Sequence, residues 1–199
     1  MKKILIASSV LVLAFLSGCM SITKVEGEQV VNNRMAVKVA DAWNKVSAPG
    51  TKQPFDMWTQ EGLTLDHLRL WAAVKPGQAL LVHPAGSVPM GQKAPRVPTY
   101  EAGMQPDQLV SLFEVMYSAD GSIVNMTKVE PAVFAGEKGV RFEFSVTRKG
   151  DDVLLNGVGW VSQSKGELFA ATFLAPKLSF FPRLLPKAES IVRTAQIRG

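Results

Sequence analysis

The chain has 199 residues, of which 47% are hydrophobic and 20% are charged, with 12 prolines, 16 glycines and one cysteine. This composition excludes a disordered, a collagen-like or a disulfide-stabilised chain and predicts one ordinary globular domain. Setting Lys2 and Lys3 aside leaves 20 of the 22 basic residues against 17 acidic ones, which lowers the net charge from +5 to +3. Nucleic-acid binding needs a dense basic stripe, so no nucleic-acid partner is expected.

The N-terminal segment predicts export. Met1-Lys2-Lys3 precedes the apolar run Ile4 to Leu16, which is shorter than the roughly 20 residues that span a bilayer as a helix. The following Leu16-Ser17-Gly18-Cys19 resembles the lipobox of bacterial lipoproteins, whose cysteine takes a diacylglyceryl group before cleavage. The alternative is an ordinary secretory signal followed by a chance cysteine.

The lipobox resemblance implies a signal peptide over residues 1–18 and lipidation at Cys19. Each buried acyl methylene contributes about 0.8 kcal/mol, so two or three chains hold a protein on a membrane. Met20 stands where an aspartate commonly retains such lipoproteins at the inner membrane. The resemblance therefore implies an outer-membrane anchor and a domain that faces the periplasm.

The first half of the mature chain predicts strands and loops. Residues 19–33 are polar, without an apolar period, which predicts a lipidated tether and places the domain at residues 34–199. Alternation from Met35 to Val46 predicts a strand. A second strand region runs from Trp58 to Trp71, and its apolar face switches at Asp66-His67, where a bulge or short turn is expected. The proline-rich segment Pro84 to Pro98 predicts a loop.

The second half of the mature chain shows a clearer hydrophobic periodicity. Pro106 and Asp107 predict a helix start, and one apolar stripe follows through Leu109, Leu112, Phe113 and Met116. Strands are predicted within residues 123–129 and over 140–146, 153–161 and 167–174. Pro186 predicts that a final helix starts near it, because a proline deeper inside removes a hydrogen bond. This order predicts an α+β fold, an antiparallel β-sheet with packed helices in a single domain.

Motifs for catalysis are weak. Adjacent strand residues point to opposite faces, so Asp66 and His67 should diverge, and a metal site with Glu61 is not expected. Ser87 lacks the spacing of a G-x-S-x-G elbow. Gly157-Val158-Gly159 lies inside an apolar strand, where we expect it to thin the sheet for a close helix or backbone rather than to bind phosphate. The carboxylates are expected at the surface, and no cofactor, metal or catalytic residue is predicted.

Two resemblances concern the mature domain. The string from Trp58 to Asp66, with Phe142-Glu143-Phe144, resembles uncharacterised proteobacterial lipoproteins. The layout resembles the α/β/α sandwich of a nuclear import factor that binds Ran and of photosystem II extrinsic subunits. The resemblance implies a non-enzymatic binding or assembly module of the envelope, with an envelope protein as partner.

The partner is expected to contact Lys93 and Arg96, which offer charge in the loop, or the surface around Trp58 and Glu61. The alternative is an envelope hydrolase or a lipid-handling protein with a site near Glu61, Asp66 and His67.

Overall fold

The computed structural model describes residues 20–47, 51–83, 95 and 97–199. The predicted signal, Cys19 and most of the predicted loop, including Lys93 and Arg96, lie outside the described residues. In chain order the elements are β1 (Ser21–Val31), β2 (Met35–Ser47), β3 (Phe55–Thr59), β4 (His67–Val74), α1 (Pro106–Ser118), β5 (Ile123–Phe134), β6 (Glu137–Thr147), β7 (Leu154–Ser164), β8 (Glu167–Pro176), α2 (Phe180–Val192) and β9 (Gln196–Ile197).

The strands form one nine-stranded sheet in the order β1-β2-β3-β4-β8-β7-β6-β5, with β9 pairing to β2. Every pairing is antiparallel. Strands β5 to β8 follow one another as a meander, and β8 joins them to β4. The predicted α+β class with an antiparallel sheet is therefore confirmed.

The two helices pack on opposite faces of the sheet. On one face α2 packs against a core that includes Trp43, Trp58 and Phe173. On the other, α1 covers a core that includes Trp71 and Phe142. Because both faces of the central strands are covered, β8 is buried continuously from Leu168 to Ala175. The result is an α/β/α sandwich.

The predicted tether over residues 19–33 is wrong for residues 21–31, which form β1 and pair with β2 along its length. Val25 and Val31 are buried, whereas the neighbouring Lys24, Glu26 and Glu28 are exposed. An edge strand has polar outward positions, and the pairing register shifts between Val25 and Gly27. The two effects hide the apolar alternation from the sequence.

Helix α2 begins at Phe180, so the start predicted near Pro186 is wrong, and Pro186 lies inside the helix. The proline nitrogen leaves the carbonyl of Pro182 without its helical partner. Pro182 is itself in the first turn, where a missing N–H costs nothing. Leu184 is fully buried and the Phe181 ring stacks on Phe173 at 5.9 Å, so packing stabilises the early turns despite the lost bond.

Gly157 and Gly159 of β7 lie under aromatic rings. They pair with Phe144 and Phe142 of β6, and a Cβ added at Gly159 would lie 2.2 Å from Cζ of Phe142. The glycines thin this face of the sheet as predicted, but the expected close helix or backbone is wrong, because the group that approaches is a ring from the neighbouring strand. Helix α1 covers these rings, with Phe113 5.2 Å from Phe142.

Candidate functional site

The turn between β3 and β4 is organised by Asp66. Its carboxylate accepts hydrogen bonds from Thr59 Oγ1 at 2.9 Å, from the Gln60 N–H at 2.8 Å and from the Glu61 N–H at 2.7 Å. Asp66 is fully buried, so its expected place at the surface is wrong. Its hydrogen bonds close the turn, and the side chain is a structural cap.

Glu61, Asp66 and His67 do not form one site. Glu61 is exposed and accepts a hydrogen bond from Arg183 of α2 at 2.8 Å. His67 begins β4, and burial, helped by the positive charge of Arg69, lowers its pKa well below the ordinary value. Trp58 is only 1% exposed, so a partner cannot contact its ring in this conformation. No group of three metal-ligating side chains occurs in the described part of the chain.

Arg69, two residues after His67, is the most unusual cation of the described structure. Its Cζ lies 5.0 Å from the centroid of the Phe55 ring and 5.2 Å from that of Tyr117. Its Nε is buried and has no hydrogen-bond partner. No ion pair among the described residues involves Arg69.

No acidic side chain of the chain compensates this charge within 4 Å. All 17 acidic residues belong to the described residues, because the segments outside contain no Asp or Glu. Arginine stays protonated in proteins, and a half-buried cation without a counter-ion is unfavourable. Arg69 therefore carries an unpaired positive charge.

Three elements hold Arg69 in place. It pairs across the sheet with Met57 of β3 and Thr172 of β8. Thr172 Oγ1 lies 2.6 Å from the hydroxyl of Tyr117 on α1. Burial raises the pKa of Tyr117, against the opposing effect of the Arg69 charge. The tyrosine ring is thus fixed to the sheet beside the guanidinium.

Arg69 lines a groove of about 730 Å³, which we call the Arg69 groove. Its apolar lining includes Val46, Phe55, Met57 and Leu81, and its charged lining consists of Lys45, Lys52, Asp56 and Arg69. Lys45 and Asp56 pair with each other at 2.7 Å, so Lys52 and Arg69 leave the groove positive. Its volume lies within the roughly 300–1,000 Å³ that is typical of small-molecule sites.

Comparisons with known proteins address the fold. No protein-family model and no curated protein sequence matches the chain. The solution structure of cyanobacterial PsbP (CyanoP) from Synechocystis sp. PCC 6803 superposes with a TM-score of 0.55 at 10% identity, covering 92% of this chain and 95% of that one. The fold is PsbP-like. This confirms the predicted likeness to photosystem II extrinsic subunits at the level of architecture.

Two other structures align more loosely. A crystal structure from Bacteroides thetaiotaomicron VPI-5482 gives a TM-score of 0.50 at 11% identity, covering 88% of this chain and 50% of that one. LpqN, described as involved in cell envelope biogenesis of Mycobacterium tuberculosis, gives 0.43 at 11% identity over 90% and 92% of the two chains. No helix among the described residues is long and apolar enough to cross a membrane.

Proposed function

We propose that the protein is a lipoprotein of the outer membrane, lipidated at Cys19 and facing the periplasm, that acts as a non-enzymatic binding module of the envelope. The Arg69 groove is its binding site. The unpaired charge of Arg69 inside this partly apolar groove is the observation that carries the proposal. Fixed cations without an internal counter-ion are typical of sites that recognise an anionic group.

The signal residues support the location. Lys2-Lys3, the short apolar run and Leu16 to Cys19 match a lipobox signal in position, charge and spacing. Because β1 begins at Ser21, the folded domain starts two residues after the proposed lipid anchor. The domain therefore sits close to the membrane surface instead of at the end of a tether.

The hydrolase alternative at Glu61, Asp66 and His67 finds no support in the geometry. Asp66 uses its carboxylate to close a turn, and Glu61 pairs with Arg183. Contact of an envelope protein with Lys93 and Arg96 stays a prediction. The Arg69 groove is a separate site that needs neither of these two residues.

A crosslinking experiment in cells tests the binding role. A photoreactive amino acid replaces Leu81, which lines the groove, and in a matched control replaces Leu178, which is 89% exposed outside it. We expect an adduct at position 81 that is absent at position 178 and weakens in an Arg69→Gln background. Equal labelling at both positions, unchanged by Arg69→Gln, contradicts a binding role for the groove.

A further inference from the structure

We infer that the Arg69 groove binds an anionic amphiphile, a lipid with a carboxylate or phosphate headgroup, drawn from the membrane that carries the anchor. This inference rests on the proposed function, which makes the groove a binding site and Cys19 the anchor. It adds the chemical class of the ligand and its source.

The headgroup follows from Arg69. The guanidinium lies beside two aromatic rings, whose faces compensate a cation only in part. Its planar set of N–H donors matches a carboxylate or a phosphate with two parallel hydrogen bonds. Lys52 adds a second positive charge to the lining, while Asp56 is already paired with Lys45. The groove therefore lacks one anion that the chain itself does not supply.

The body of the ligand follows from the rest of the lining. Val46, Met57, Leu81 and the ring of Phe55 are apolar and share the groove with Arg69. A small inorganic anion would leave this surface in contact with water, whereas an alkyl chain would cover it. A headgroup at Arg69 with a hydrocarbon chain along the apolar lining satisfies both parts of the groove.

The membrane as source follows from the register of β1 with β2. Ser21 pairs with Ser47, and Ile22 pairs with Val46, and both of these partners line the Arg69 groove. The two residues from Cys19 to Ser21 span at most about 7 Å. Met20 and Ile22 are exposed apolar residues at the same corner. A lipid anchor at Cys19 therefore places this side of the groove at the membrane surface.

Titration of the full chain in phosphatidylcholine nanodiscs tests the inference. Octyl phosphate, octanoate, octanol and inorganic phosphate are added separately, and the heat of binding to empty discs is subtracted. We expect saturable binding of octyl phosphate and octanoate, at least about 10-fold tighter than that of octanol or inorganic phosphate. Octanol lacks the charged group that pairs with Arg69, and inorganic phosphate lacks the alkyl chain that contacts the apolar lining.

Four variants make the test specific. Arg69→Gln should weaken octyl phosphate binding at least about 10-fold, and Arg69→Lys should weaken it less, since the charge remains without the planar donors. Leu81→Ser should weaken octyl phosphate but not inorganic phosphate. Arg193→Gln, at an exposed arginine after α2, is the matched control and should change nothing. Circular dichroism confirms that each variant is folded.

The other outcomes separate the inference from the proposed function. Inorganic phosphate that binds as tightly as octyl phosphate, with dependence on Arg69, would overturn the lipid source and leave a binding site for free anions. Octanol that binds as tightly as octyl phosphate, without dependence on Arg69, would overturn the inferred recognition of an anionic headgroup. Failure of all four probes beside a specific adduct at position 81 would overturn the ligand class while the binding role stands. Failure of both experiments would overturn both.

Discussion

Gly159 under the Phe142 ring gives the sharpest test of the packing. In Gly159→Ala, the new Cβ would lie 2.2 Å from Cζ of Phe142, about 1.2 Å closer than the 3.4 Å of an ordinary contact. The ring cannot swing away freely, because Phe142 is fully buried and packs on Phe113 and Phe144 at 5.2 and 5.8 Å. We therefore expect a loss of about 1–3 kcal/mol in the free energy of unfolding, which is typical of an overpacked core.

The assay is urea unfolding followed by circular dichroism, with Gly150→Ala as the matched control. A Cβ at Gly150 meets nothing within 4 Å and its φ is not in the left-handed region, so that variant should be neutral or slightly stabilising. A double variant that also carries Phe142→Leu removes the colliding ring. Its loss in the free energy of unfolding should then be smaller than the sum of the losses of the two single variants. Equal stability of Gly159→Ala and Gly150→Ala would contradict a collision between the new Cβ and the Phe142 ring.

Three further predictions concern the turn, His67 and the anchor. Asp66→Ala should lower the free energy of unfolding by about 3 kcal/mol, because buried donors lose a charged acceptor. The control Asp41→Ala, which removes an exposed ion pair, should cost less than about 1 kcal/mol. Similar losses for the two variants in urea unfolding would contradict the role of Asp66 as a cap. The lowered pKa of His67 means that the unfolded chain takes up its proton first as the pH falls through 6.5, so the stability present at pH 7 should decrease steadily as the pH is lowered below that value. In His67→Gln this dependence of stability on pH should be smaller, and an equal dependence in both proteins would count against the lowered pKa of His67. Cys19→Ala should leave an unprocessed or soluble form in cell fractionation, whereas a fully processed membrane protein would argue against lipidation.

The sequence predicts much of the fold correctly where one face of a helix or strand is apolar without interruption. The stripe of Leu109, Leu112, Phe113 and Met116 predicts α1, and the alternation through Phe142 and Phe144 predicts β6. In each case local period and tertiary burial agree. The antiparallel sheet then follows from the number of consecutive strands.

The errors come from places where the environment overrides the local pattern. The edge position of β1 puts charges on its outward side and hides Val25 and Val31. In α2, burial of Leu184 outweighs the hydrogen bond that Pro186 removes, which no proline rule can anticipate. The burial of Asp66 depends on three donors that only the folded turn brings together.

The candidate site was missed for a related reason. His67, Arg69 and Trp71 share one side of β4, but the switch of apolar parity at Asp66-His67 draws attention to Leu68 and Leu70 on the other side. An arginine in a strand with apolar residues on both sides was the available signal. Its meaning depends on the rings of Phe55 and Tyr117, which come from β3 and α1.

Arginine side-chain NMR can show whether the Arg69 groove holds an anionic headgroup. In the ¹H–¹⁵N spectrum of the full chain in phosphatidylcholine nanodiscs, the Nε–H signal of Arg69 is the one that disappears in Arg69→Gln. We predict that octyl phosphate shifts this signal progressively to saturation, that octanol leaves it in place, and that the Nε–H signal of Arg193 does not move with either compound. An Arg69 signal that stays in place as octyl phosphate is added, or that moves equally with octanol, would contradict this prediction.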